Sequence, residues 1–166
     1  GRMLFFVGRH THQKGLDMLI YAMEKLHRDD VTLVLGGSGH LTDQLKKFVS
    51  LLGLEDQVEF VGYIPQEELG DYYASADLFV SPSLAEPFGI TYVEALSVGT
   101  RVVACESGAA EVLPNDCIIE AEKNSQSIAD AIERALEMDS PIEYEERTWG
   151  DVADEHVAFY ERITEE

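Results

Sequence analysis

Two acids, two bases and a glycine are the residues of this chain with evident chemistry. Glu86 and Glu94 stand eight positions apart in SLAEPFGITYVEAL (83–96), with Gly89 between them, and Arg9 and Lys14 share the segment GRHTHQKG (8–15). Acids near a helix start favour its positive end, and Pro87 suits a first helical position. That accounts for Glu86 but says little about Glu94, which lies beyond the first turn. Gly89 removes a side chain near a helix start, so the amides of Gly89, Ile90 and Thr91 can meet an anion with help from the helix dipole. Arg9 and Lys14 can supply the cationic half of such a site through charge-assisted hydrogen bonds worth on the order of 1.5–3 kcal/mol each. A carboxylate repels phosphate, so Glu94 is suited instead to accept from vicinal hydroxyls such as those of a ribose. Glu86 can do the same for another polyol. Hydroxyls at both ends and phosphates between them outline a nucleotide sugar.

Positioning these groups requires a particular order of elements. MLFFV (3–7), VTLVL (31–35), VEFV (58–61), DLFVS (77–81), RVVA (101–104) and CIIE (117–120) read as strands. Helical periodicity falls between them at 16–28, 40–52, 66–75, 89–98, 108–113 and 125–138. Alternation of this kind predicts an α/β fold, a Rossmann-like, doubly wound parallel sheet of about six strands with helices on both faces. A further helix is expected at 148–164, where Trp149, Val152, Val157, Phe159, Tyr160 and Ile163 form an apolar stripe. In such sheets ligands bind beyond the carboxyl ends of the strands. GRHTHQKG, GGSGH, GYIP, PSLAEPFG and ESGAAE follow the first five strands in turn, so five glycine-bearing loops share that edge. One glycine-rich loop is weak evidence, because tight connections need positive φ anyway; coincidence with the basic segment is stronger.

With 166 residues and 45% hydrophobic content, one domain is expected. No apolar run reaches the roughly 18 residues of a membrane span, and GRMLFFVG lacks the features of a secretory leader; a cytoplasmic protein is expected. Thirty-two acids against twelve bases leave a net charge of −20, which opposes nucleic acid and anionic membranes. With so few lysines, the excess points to adaptation to high salt, where screening shortens the reach of self-repulsion. Residues 1–16 depart from this: Arg2, Arg9, His10, His12 and Lys14 with no acid, a basic spot set against the rest of the chain. Cys105 and Cys117 read as buried free thiols. GGSGH (36–40) has neither GxGxxG spacing nor a P-loop lysine, and HTH (10–12), without a third ligand nearby, reads as a solvated or phosphate-facing loop rather than a metal site. Ser81, Ser83 and Ser107 lack a partner base and read as loop or capping serines.

Nearly the whole chain resembles the C-terminal, donor-binding domain of a group 1 (family 4) retaining glycosyltransferase, one half of a GT-B enzyme. The resemblance rests on VGRHTHQKGLDMLIYA, LGGSG, VEFVGYIPQEELGDYYASADLFVSPSLAEPFGITYVEALSVGTRVVA and SGAAEVL, and most specifically on the Glu-x7-Glu of Glu86 and Glu94 beside the Arg-x4-Lys of Arg9 and Lys14. It implies that Arg9 and Lys14 bind the donor diphosphate and stabilise it as it leaves, assisted by the amides at Gly89, Ile90 and Thr91. Glu86 would contact the transferred sugar and Glu94 the ribose. Val61, Gly62, Tyr63 and Ile64 would frame the base, with Gly8 and Gly39 in the other donor-facing loops. No cofactor and no metal are implied, since cations and helix dipoles meet the developing charge.

Two departures from the family pattern are Arg101 in GTRVV, where proline is usual, and Ser107 in SGAAE, where glycine is usual; the latter leaves the role of Glu111 open. The chain enters strand-like sequence by its third residue, so a fragment lacking an N-terminal acceptor domain is expected. On that expectation the isolated domain binds nucleotide weakly and transfers nothing, while the full-length protein retains anomeric configuration. Acceptor recognition, and any peripheral membrane contact, would belong to the full-length protein. The alternative is a non-catalytic nucleotide or sugar-phosphate binding module, against which the intact Glu86, Glu94, Arg9 and Lys14 speak; a GT-B epimerase would not be expected to carry this glutamate spacing.

Overall fold

The structure, a computed structural model, describes residues 1–85, 89–105, 117–139, 142 and 144. Its elements run β1 (Arg2–Val7), a 3-10 turn (His12–Lys14), α1 (Leu16–Leu26), β2 (Val31–Gly36), α2 (Thr42–Leu52), β3 (Val58–Gly62), α3 (Gln66–Ser75), β4 (Leu78–Ser81), α4 (Ile90–Ser97), β5 (Arg101–Cys105), β6 (Ile118–Ala121) and α5 (Ser125–Leu136). The expected helices at 108–113 and 148–164 lie outside the described residues.

Six parallel strands form one sheet in the order β3-β2-β1-β4-β5-β6. Alternate side chains of β1 enter different cores. Leu4 and Phe6 pack with residues of α1, α2 and α5, whereas Phe5 packs with Tyr73 of α3 and Tyr92, Ala95 and Leu96 of α4. Burial on both faces explains why β4 and β5 are buried at every position, and why the inner strands read as continuous apolar runs. In α1, Leu16, Leu19, Ile20 and Met23 recur at helical spacing and are all buried. Cys105 and Cys117 are buried thiols outside any disulfide, as expected.

Polar contacts hold the element ends. Asp77 accepts from the Met3 amide at 2.7 Å, returns its own amide to the Met3 carbonyl at 2.8 Å, and pairs with Arg2 at 2.8 Å. It thereby ties the start of β1 to the entry of β4. Asn124 caps α5 by accepting from the Ser127 amide at 2.8 Å, a contact worth about 1 kcal/mol.

Candidate functional site

Strand order reverses at β1, whose neighbours are β2 and β4. The loops after β1 and β4 therefore flank the crevice in which open α/β sheets bind ligands. Two hydrogen bonds join them. The Leu84 amide donates to the Gln13 carbonyl at 2.9 Å, and Gln13 Nε2 donates to the Ala85 carbonyl at 3.2 Å. The segment carrying Arg9 and Lys14 is thus fastened to the segment leading into Glu86. Glu86 itself lies outside the described residues.

The other wall is backbone laid on backbone. The Gly8 amide donates to the Gly36 carbonyl at 3.3 Å, the His10 amide to the Ser38 carbonyl at 3.1 Å, and the Gly37 amide to the Gly62 carbonyl at 2.6 Å. A Cβ on Gly37 would run into the Gly8 carbonyl, and one on Gly39 into the His10 carbonyl. These glycines let the loops after β1, β2 and β3 close into one surface, so Gly8, Gly39 and Gly62 meet at the expected edge. Next to them Tyr63 is 82% exposed, whereas the Ile64 side chain is buried in the second core and leaves only its backbone to offer.

The basic spot divides on folding. Arg9 is exposed and Lys14 half-buried, both in the loop at the carboxyl edge. Arg2 lies at the other end of β1, paired with Asp77, and takes no part in that edge. His10 corrects the expectation of a solvated or phosphate-facing histidine, because it is fully buried. Its Nε2 lies 3.3 Å from the Gly36 carbonyl, which can only accept, so Nε2 carries the proton. Its Nδ1 then accepts from the Thr42 hydroxyl at 2.9 Å, and Thr42 Oγ1 in turn accepts from the Gly39 amide at 2.9 Å. Burial holds its pKa below the ordinary histidine value, the Gly36 contact opposing and the Lys46 charge adding to the effect. With both ring nitrogens occupied, His10 clips two loops together and is not disposed to ligate metal.

Gly89 precedes α4 in the left-handed region, with φ at 66°. A Cβ there would meet the Tyr92 ring at 2.6 Å, so the turn is restricted in shape as well as in φ. Ile90 is 67% exposed and Thr91 half-buried at the first turn. Glu94, half-buried in the second turn, receives a hydrogen bond at 2.8 Å from the hydroxyl of Tyr73 on α3. Burial first, and then Glu94, raise the Tyr73 pKa far above the usual tyrosine range, so Tyr73 is the donor and Glu94 the acceptor. Sequence reasoning passed over Tyr73, since a tyrosine at an apolar helix position in GDYYASAD looks like core. It is core as well, its ring 5.3 Å from those of Phe5 and Phe79.

The family described as glycosyl transferases group 1 matches residues 1–149. This chain belongs to that family. It is 38% identical over 173 aligned positions to an uncharacterised glycosyltransferase of Methanocaldococcus jannaschii, covering 96% of this chain and 44% of that protein. Among solved structures, Anabaena HepE in complex with UDP superposes with a TM-score of 0.73 at 29% identity, covering 81% of this chain and 39% of that one. The C-terminal domain of a group 1 family glycosyltransferase from Francisella tularensis superposes with a TM-score of 0.70 at 28% identity, covering 82% and 75%. The Rossmann-like sheet is thus of the GT-B kind. The chain spans less than half the length of the Methanocaldococcus relative.

Proposed function

We propose that this chain is the donor-binding domain of a retaining glycosyltransferase, and that a nucleotide-diphosphate sugar seats in the crevice between β1 and β4. The supporting observation is the pair of hydrogen bonds from Gln13 and Leu84 that fastens the Arg9–Lys14 loop to the segment before Glu86. In this reading Arg9 and Lys14 grip the diphosphate, and the first turn of α4 at Gly89, Ile90 and Thr91 adds its amides and its helix dipole. Glu86 contacts the transferred sugar, and Glu94 accepts from the ribose hydroxyls. Val61, Gly62, Tyr63 and Ile64 frame the base beside Gly8 and Gly39. As the sugar–phosphate bond breaks, negative charge grows on the diphosphate. Two cations and a helix start meet that charge without a metal. Acceptor recognition is assigned to a second domain, this chain spanning 44% of the Methanocaldococcus relative. No helix among the described residues is long and apolar enough to cross a membrane.

Isothermal titration of UDP, GDP and ADP and their sugars into the chain tests this reading. Arg9→Ala and Lys14→Ala should each weaken the preferred diphosphate about 10- to 150-fold, from charged hydrogen bonds of ~1.5–3 kcal/mol. Nucleotide affinities indifferent to both substitutions would remove the phosphate assignment. Measurable sugar transfer by the 166 residues alone would remove the proposal that catalysis needs a second domain.

A further inference from the structure

We propose that Tyr73 is a positioning residue for the donor site, holding Glu94 in the rotamer that accepts from a ribose diol and so setting the preference for ribose over deoxyribose. The proposal rests on the assignment of Glu94 to the ribose.

Glu94 is tied to a buried donor. Its Oε2 takes the Tyr73 hydroxyl at 2.8 Å, and Tyr73 is 1% exposed. The donor cannot swing away. Its ring makes edge contacts with Phe5 and Phe79, and its carbonyl accepts from the buried Thr100 hydroxyl at 2.6 Å. Side chains on a helix tilt towards its N-terminus. Tyr73 lies near the end of α3, so the tilt carries its hydroxyl away from the amino edge of the sheet, back towards the carboxyl edge and onto Glu94 of α4.

The hydrogen-bond inventory makes the consequence specific. A tyrosine hydroxyl has one proton to give, and here it goes to Oε2. A carboxylate only accepts and offers about four lone-pair sites, so Oε1 and the remaining site on Oε2 stay available. Two adjacent sugar hydroxyls are donors at the spacing those sites can serve. Without the Tyr73 hydroxyl, the Glu94 side chain must be ordered by the ligand. That ordering corresponds to about three- to tenfold in affinity.

The test titrates UDP, GDP and ADP, each against its 2′,3′-dideoxy form, into the wild type, Tyr73→Phe, Glu94→Ala and the double variant. Phenylalanine retains the ring contacts, and thermal melting verifies that the core is kept. Tyr73→Phe should lower the ribose preference about three- to tenfold while leaving the dideoxy affinity unchanged, and it should add nothing in the Glu94→Ala background. A purely structural tyrosine would instead weaken both nucleotide forms together and do so with or without Glu94. If Glu94→Ala abolishes the ribose preference and Tyr73→Phe leaves it intact, the positioning role is wrong and the donor-site reading stands. If Glu94→Ala leaves the preference intact, the ribose assignment fails and the role of Tyr73 falls with it.

Discussion

Replacement of His10 by leucine tests whether the two loops are clipped as the geometry indicates. The substitution removes the contact to the Thr42 hydroxyl at 2.9 Å and the bond donated to the Gly36 carbonyl at 3.3 Å. The Gly36 carbonyl keeps the Gly8 amide, and Thr42 Oγ1 still accepts from the Gly39 amide while its own proton, on a half-buried side chain, turns to solvent. The loss is therefore that of two ordinary hydrogen bonds, about 1–3 kcal/mol in all. For a domain of this size each kcal/mol is about 2–4 °C, so thermal melting at pH 8 should fall by about 2–12 °C. The pH dependence carries a second signature. Burial lowers the folded pKa of His10 below its unfolded value, so on acidification the unfolded chain takes up the proton first. The contribution of His10 is full above about pH 6.5 and is lost as pH falls through the lowered folded value. Leucine has no such loss. The gap between wild type and His10→Leu should therefore narrow from pH 8 to pH 5. A constant or widening gap, or a leucine variant as stable as wild type at pH 8, would refute the clip.

Gly37 has φ at 90°, and an added Cβ would press on the Gly8 carbonyl, so Gly37→Ala should cost about 2–5 kcal/mol from left-handed strain and overpacking together. Urea titration should show a lower midpoint at unchanged slope; an unshifted midpoint would mean the loops are not pressed together. We also propose that the excess of 32 acids over 12 bases is an adaptation to high salt. At 1 M salt the screening length is about 3 Å, so the melting temperature should climb between 0.1 and 2 M potassium chloride, and a flat or falling trend would dispose of the idea.

The strands were legible because each is a short β-branched or aromatic run, buried throughout in β4 and β5 and only partly buried in the edge strands β3 and β6. Boundaries moved where a residue had a second task. The strand expected at 77–81 begins at Leu78, because Asp77 turns aside to bind Arg2 and the Met3 amide. The helix expected at 16–28 stops at Leu26, because His27 adopts φ of 48° and ends it in the left-handed region. The helix expected from residue 40 starts at Thr42, whose hydroxyl is engaged by His10 and the Gly39 amide. Such events are decided by neighbours distant in sequence, and periodicity does not register them.

The same limit governed the site. Alternation of strands and helices is enough to put the loops after β1, β2, β3 and β4 on one edge, so the neighbourhood of Arg9, Lys14, Gly39, Tyr63 and Gly89 follows from order alone. Counting cations along residues 1–16 misled, because a six-residue strand spans roughly 20 Å and separates Arg2 from Arg9 by the height of the sheet. Tyr73 was out of reach for a related reason. Its hydroxyl meets Glu94 across the α3–α4 contact, and that contact follows only from strand order: α3 crosses to β4 and α4 leaves it, both against the core that holds Phe5. Had β4 been placed beside β1 at the outset, the two helices would have shared a face. Tyr73 and Glu94, the polar tips of helices that share a buried face, would then have been candidates for each other. Polar atoms at such a contact need partners, and here the Tyr73 hydroxyl and the Glu94 carboxylate meet that need for each other.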